Sequence, residues 1–78
     1  MEKIKKEQSA HLILDKPLTT KRMDILVPAT GTYRALLARF IIDPGAAYIP
    51  LVNGKVADLD GEIQAGDEIR AVAQIVGG

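Results

Sequence analysis

The residues with the most evident chemical potential are the two glycines, Gly77 and Gly78, that close the sequence. A glycine carboxylate has no neighbouring Cβ, so it can enter a narrow site and its carbonyl carbon is open to nucleophiles. The apolar alternation of residues 68–76 runs directly into these glycines, which would project the carboxylate away from a domain. We therefore predict that Gly78 is modified by other proteins and that Gly77 belongs to a flexible tail. An inert, frayed tail is the plain alternative.

Few other side chains could carry out chemistry. His11 is the only histidine, Ser9 is the only serine, and there is no cysteine. Such a set cannot supply a Ser-His-Asp triad, a catalytic thiol or a thiolate zinc site. We expect no catalytic residue, no metal and no cofactor, and hence a protein that is not itself an enzyme.

One loop has the glycine spacing of a phosphate-binding motif, from Gly61 to Gly66. That motif needs Lys and then Ser or Thr after its last glycine, whereas this chain has Asp67 and Glu68. Two carboxylates would repel a phosphate. The segment is better interpreted as a turn before the last strand, with Gly66 in a left-handed conformation.

Chain length and net charge further restrict the functions expected of this protein. A chain of 78 residues has room for one core, with ten basic and ten acidic residues and a net charge of zero. Balanced charge argues against nucleic-acid binding, and the absence of a long apolar run argues against a membrane span. We expect a soluble cytoplasmic protein with a flexible arm over residues 1–9, one domain over 10–76 and a tail over 77–78.

Hydrophobic periodicity predicts five strands and one helix. Short apolar runs over residues 10–14 and 22–27 predict a hairpin whose second strand turns odd-numbered residues inward. Residues 33–41 repeat apolar side chains with helical spacing after the possible cap residues 30–32, and Pro44 lies just beyond. Asn53 and Gly54 predict a tight turn between strands at 48–52 and 55–57. The helix-face residue Tyr33, like Tyr48, is expected to be half-buried with a hydrated hydroxyl.

This order of elements predicts an α+β fold in which a mixed sheet of four to five strands wraps over one helix. The first and last strands should lie parallel in the middle, because the helix provides the crossover between them. On the sheet face opposite the helix, Leu51, Arg70 and Val72 should then lie close together. We predict a partner-docking surface there, although isolated exposed apolar residues are common and often carry no function.

Three segments carry a resemblance to a known family. They are TYRALL at residues 32–37, LVNGKVADL at 51–59 and IQAGDEI at 63–69. Together with the terminal glycines they make the chain resemble the ThiS and MoaD family of ubiquitin-like, β-grasp sulfur carriers. TGS domains share similar turns, and only the glycine pair separates the carriers from them. Residues 73–76 lack the proline that often precedes the glycines in molybdopterin-synthase small subunits.

The resemblance implies a specific role for Gly78. An ATP-dependent activating enzyme of the ThiF and MoeB type would adenylate its carboxylate, and sulfur would then convert it to a thiocarboxylate. A sulfur-accepting synthase would use that group in thiamine, molybdopterin or tungstopterin synthesis, or in tRNA thiolation. Two alternatives stay open: a ubiquitin-like modifier conjugated through Gly78 to lysines of target proteins, and an inert interaction module of the TGS type.

Overall fold

A computed structural model describes residues 8–74 of the chain. In order along the sequence the elements are β1 (Ser9–Leu14), β2 (Met23–Pro28), α1 (Tyr33–Phe40), β3 (Tyr48–Val52), β4 (Lys55–Val56) and β5 (Glu68–Ala73). The predicted order of strands and helix is confirmed, and apart from the last strand the ends shift by at most one residue. The final strand ends at Ala73, before the predicted end at residue 76. Most of the predicted arm, residues 1–7, and the predicted tail, Gly77 and Gly78, lie outside the described residues.

The strands form one mixed sheet in the order β2-β1-β5-β3-β4. β1 and β5 pair in parallel, and the other neighbouring pairs are antiparallel. Because β5 lies between β1 and β3, both of its edges are hydrogen-bonded. The architecture belongs to the α+β class and is consistent with a β-grasp.

The core lies between α1 and one face of the sheet. Leu12 and Leu14 of β1, Leu37 of α1 and Ile69 of β5 are its largest fully buried side chains. On β2 the odd-numbered residues 23, 25 and 27 pack on this core, as the alternation predicts. β1 begins at Ser9, which is buried, so the first strand starts one residue before its predicted start at residue 10.

Local sequence explains how the helix and the hairpin turn begin and end. The Thr32 hydroxyl caps α1 by accepting a hydrogen bond from the Ala35 N–H at 3.2 Å, which satisfies an otherwise free donor. Asn53 and Gly54 both have positive φ, 54° and 83°, as a type I′ hairpin turn requires. Gly66 has a φ of 88°, in agreement with its predicted left-handed conformation. Within residues 8–74, no helix is long and apolar enough to cross a membrane.

Candidate docking surface and its buried support

The three predicted docking residues share one face of the sheet. Leu51 on β3 lies directly opposite Arg70 on β5, and directly opposite residues have side chains on the same side. Val72 follows Arg70 by two positions and therefore points the same way. Ile69 is buried against the helix, so this set points away from α1. We call the sheet surface formed by Leu51, Arg70, Val72 and Ile49 the open face.

Ile49 is a member of the open face that the sequence analysis missed. It lies opposite Val72 across the β3–β5 pair and is half-buried, whereas Val72 is 45% exposed. Ile49 lies two residues before Leu51 on β3, so strand alternation places both side chains on the same face and would have identified it. On β3 and β5 the open face thus contains three aliphatic side chains around one arginine, and Ile13 of β1, directly opposite Arg70, is buried on the same side of the sheet.

The charge on the open face is only partly neutralised. Arg70 Nη2 donates a hydrogen bond to Glu68 Oε1 at 3.4 Å, and both side chains stay close to half exposed. A guanidinium has five N–H donors, so this long contact leaves Arg70 with donors for an incoming carboxylate. On the neighbouring strands His11 and Asp24 form a second surface pair. The open face therefore combines aliphatic side chains with a cation that still has free hydrogen-bond donors.

Gly77 and Gly78 lie outside the described residues, but the strand that precedes them is held firmly. Ala73 pairs with Tyr48, and the Gln74 N–H donates to the Ala47 carbonyl at 2.9 Å. The backbone of Gln74 is therefore still bonded to the residue that precedes β3. Any partner that binds the open face therefore binds a fixed point close in sequence to the glycines.

A buried carboxylate supports the turn that leads into β5. Asp67 Oδ2 accepts hydrogen bonds from the Tyr33 hydroxyl at 2.6 Å and the Gln64 N–H at 2.9 Å, and Oδ1 accepts from Asn53 Nδ2 at 3.1 Å. Asn53 Oδ1 in turn accepts from the Glu68 N–H at 2.9 Å. These bonds join the start of α1, the β3–β4 turn and the start of β5 at one point.

The same contacts shift the pKa values of the Tyr33 hydroxyl and the Asp67 carboxyl. Burial, then the hydrogen bond to Asp67 and its negative charge, raise the pKa of Tyr33 to about 12. Burial alone would raise the pKa of Asp67, but the bonds donated by Tyr33, Gln64 and Asn53 outweigh it and hold that pKa below its usual value. Asp67 is therefore an ionised structural anchor at neutral pH.

Two expectations about side chains change as a result. The Tyr33 hydroxyl was expected to be hydrated, but it is buried against Asp67 because the helix start packs beside the Gly66 turn. The sequence suggested only that Asp67 would repel a phosphate. In the structure its buried carboxylate accepts the hydrogen bonds from Tyr33, Gln64 and Asn53. The sequence carried no specific signal for this role, because two of the three donors to Asp67 belong to distant segments of the chain.

Within residues 8–74, no group of three or more His, Cys, Asp or Glu side chains is arranged to hold a metal ion. No model of a protein family matches the chain, and no curated protein sequence matches it. The case for a function therefore comes from the residues themselves.

Proposed function

We propose that this protein is a ubiquitin-like sulfur carrier that works through the carboxylate of Gly78. The observation that carries the proposal is the position of the open face on β5. Val72, on that face, precedes Gly78 by six residues, which span no more than about 20 Å when fully extended. An enzyme that grips the open face would thus have the glycine carboxylate within reach of its own active site.

The chemistry has to be supplied by partners. A carboxylate at neutral pH resists nucleophilic attack because its charge is delocalised and oxide is a very poor leaving group. An activating enzyme of the ThiF and MoeB type would join the Gly78 carboxylate to the α-phosphate of ATP and release pyrophosphate. A hydrosulfide would then attack the acyl carbon, form the C–S bond and displace AMP, which leaves a thiocarboxylate on Gly78; a persulfide donor would give an acyl disulfide instead, which a thiol would have to reduce to the thiocarboxylate.

This chain would supply recognition and presentation. Leu51, Val72 and Ile49 provide apolar contact, and Arg70 provides a charge that selects an acidic partner surface and fixes orientation. The Asp67 corner holds the turn before β5 in place, so that the strand leading to Gly77 and Gly78 keeps its register. The same geometry would serve a sulfur-accepting synthase after the activating enzyme has left.

Intact-mass spectrometry of the protein from its native cells tests the proposal. We expect a population heavier by the mass of one oxygen-to-sulfur exchange, with fragments that place the change on Gly78. Alkylation with a thiol reagent should tag that population, and a variant that lacks residues 77–78 serves as the control. Covalent linkage of Gly78 to lysines of other proteins would instead support a modifier. Only unmodified Gly78, or a chain that continues beyond it, would contradict both roles.

A further inference from the structure

Four charged or ionisable side chains lie next to one another on the side of the sheet opposite α1. One is on β2, one on β1 and two on β5, and we call them the polar row: Asp24, His11, Glu68 and Arg70. His11 lies directly opposite Glu68, and Ile13, two residues further along β1, lies between Asp24 and Arg70. Because directly opposite residues share a side of the sheet, the whole row points away from the core. Arg70 belongs both to the polar row and to the open face.

The polar row forms two pairs. The Asp24 carboxylate accepts a hydrogen bond from His11 Nε2, and Glu68 Oε1 accepts one from Arg70 Nη2 at 3.4 Å. All four side chains are between 42% and 48% exposed, so solvent and a partner can reach them. Within residues 8–74, the charged groups that face His11 are Asp24 from β2 and the two β5 members of the row, and β1 itself carries no other charge.

Glu68 competes with any partner carboxylate for the Arg70 guanidinium. The two residues lie two positions apart on β5 and on the same side, so their pair forms without bringing two molecules together. A partner carboxylate must displace Glu68 or share the remaining donors of Arg70 with it, next to a like charge. While His11 is neutral, the row holds two carboxylates and one guanidinium. This excess of negative charge opposes an acidic partner surface.

Protonation of His11 removes the excess negative charge. Histidine side chains change charge within the range of about pH 5–8. A carboxylate can only accept hydrogen bonds, so the Nε2 atom that bonds to Asp24 already carries a proton and the added proton goes to Nδ1. The resulting imidazolium lies directly opposite Glu68 and attracts its carboxylate. The pair between Glu68 and Arg70 is thereby weakened, and Arg70 becomes more available to a partner.

We propose that Glu68 and His11 make the affinity of the open face for an acidic partner depend on pH. Neutral His11 leaves Glu68 on Arg70 and lowers the affinity, whereas protonated His11 attracts Glu68 and raises it. By linkage, the binding of such a partner takes up protons at His11. This inference rests on the proposed function, in which the activating enzyme binds the open face, and adds to it a regulation of that binding.

An NMR titration of the full chain tests the coupling within the polar row without any partner. The His11 ring, the Glu68 carboxyl carbon and the Arg70 Nε–H are followed between about pH 8 and about pH 5. We expect the Glu68 and Arg70 signals to shift with the same midpoint as the His11 ring. His11→Gln should abolish both shifts, and Glu68→Gln should abolish the response of Arg70, because that response is transmitted through Glu68. Signals of Glu68 and Arg70 that do not follow His11 would overturn the proposal.

Calorimetry with the purified cognate activating enzyme tests the effect on binding. The parent should bind about two- to fivefold more tightly at pH 6 than at pH 8, as expected for one exposed charge interaction. His11→Gln, measured with the same enzyme, should lose this difference. Glu68→Gln should bind more tightly than the parent at pH 8, because the competitor for Arg70 is gone. Glu62→Gln, the same change at an exposed position outside the polar row, should bind as the parent does.

The two proposals fail in different ways. If the parent and His11→Gln respond equally to pH, or if Glu68→Gln binds no more tightly than the parent at pH 8, the regulation by the polar row is overturned and the proposed function still stands. If the activating enzyme does not bind the parent at either pH, the docking role of the open face is overturned, and its regulation with it.

Discussion

The two faces of β5 differ in what they do for the molecule. Ile69 and Ala71 point toward α1 and are buried, whereas Arg70 and Val72 alternate with them and are exposed on the open face. The inward pair is required for folding, because its removal from water stabilises the core. The outward pair contributes little to folding and is therefore free to serve recognition. By alternation alone, this strand separates the side chains that stabilise the core from those that we propose for binding.

The largest effect on stability should come from shortening a buried side chain on the side of β5 that faces α1. Ile69→Ala removes a fully buried side chain and leaves a cavity, so we expect a loss of about 2–5 kcal/mol in the free energy of unfolding. Val72→Ala, its counterpart on the open face, should cost no more than about 1 kcal/mol. Urea unfolding of both variants measures the contrast. Similar losses for the two would show that the faces are not separated as described.

The Asp67 corner should show the next largest effect. Asp67→Asn keeps the size of the side chain but replaces one acceptor oxygen by a donor, facing groups that all donate. One buried donor would lose its partner, at a cost of about 1–3 kcal/mol. Asp60→Asn is the matched control, because Asp60 pairs with Arg34 at the exposed surface. Unfolding experiments in which the two variants lose equal stability would argue against an anchoring role for Asp67.

The pH dependence of stability should carry the signature of the same corner. The pKa of Asp67 is depressed in the folded state, so its contribution is present above about pH 4 and lost as pH falls through the folded value. The pKa of Tyr33 is raised from 10.0 to about 12, so its contribution is full below pH 10 and is lost as pH rises toward 12. The acid dependence of the free energy of unfolding should therefore weaken in Asp67→Asn, and its alkaline dependence should weaken in Tyr33→Phe. Unchanged pH profiles in both variants would contradict this assignment.

Arg70→Glu should have the smallest effect on stability, but a clear effect on binding to the partner. Arg70→Glu changes an exposed side chain and should alter the free energy of unfolding by no more than about 0.5 kcal/mol. It should nevertheless weaken the complex with the activating enzyme several-fold, because it opposes an acidic partner surface. Lys55→Glu provides a matched charge change at the edge of the sheet. Equal affinity of the parent and Arg70→Glu, measured by calorimetry, would remove Arg70 from the docking surface.

Much of the fold follows from short-range patterns. The alternation of residues 23–27 identified the inward face of β2, Thr32 was among the expected cap residues, and Asn53-Gly54 placed the hairpin turn. Each of these signals depends on residues that lie close together along the chain, so each feature could be identified from the sequence alone. The proximity of Leu51 to Arg70 followed from the same alternation once the strand order was inferred.

The features that were missed depend on contacts between distant segments. The hydrogen bond from Tyr33 to Asp67 joins residues 34 positions apart, and nothing near either residue specifies it. This bond arises from how the helix packs on the sheet, which periodicity determines only coarsely. Ile49 was within reach of sequence reasoning, whereas this bond was not.

The most direct test of the central claim is ATP–pyrophosphate exchange with the cognate activating enzyme. The parent chain should support exchange because its Gly78 carboxylate accepts the adenylate, and the reverse reaction returns ATP. A chain that lacks residues 77–78 should fold as the parent does, as checked by its urea unfolding curve, and should support no exchange. Val72→Ala, with its tail intact, should still reach the same maximal rate at a higher protein concentration. Undiminished exchange with the shortened chain would contradict the assignment of Gly78 as the activated group.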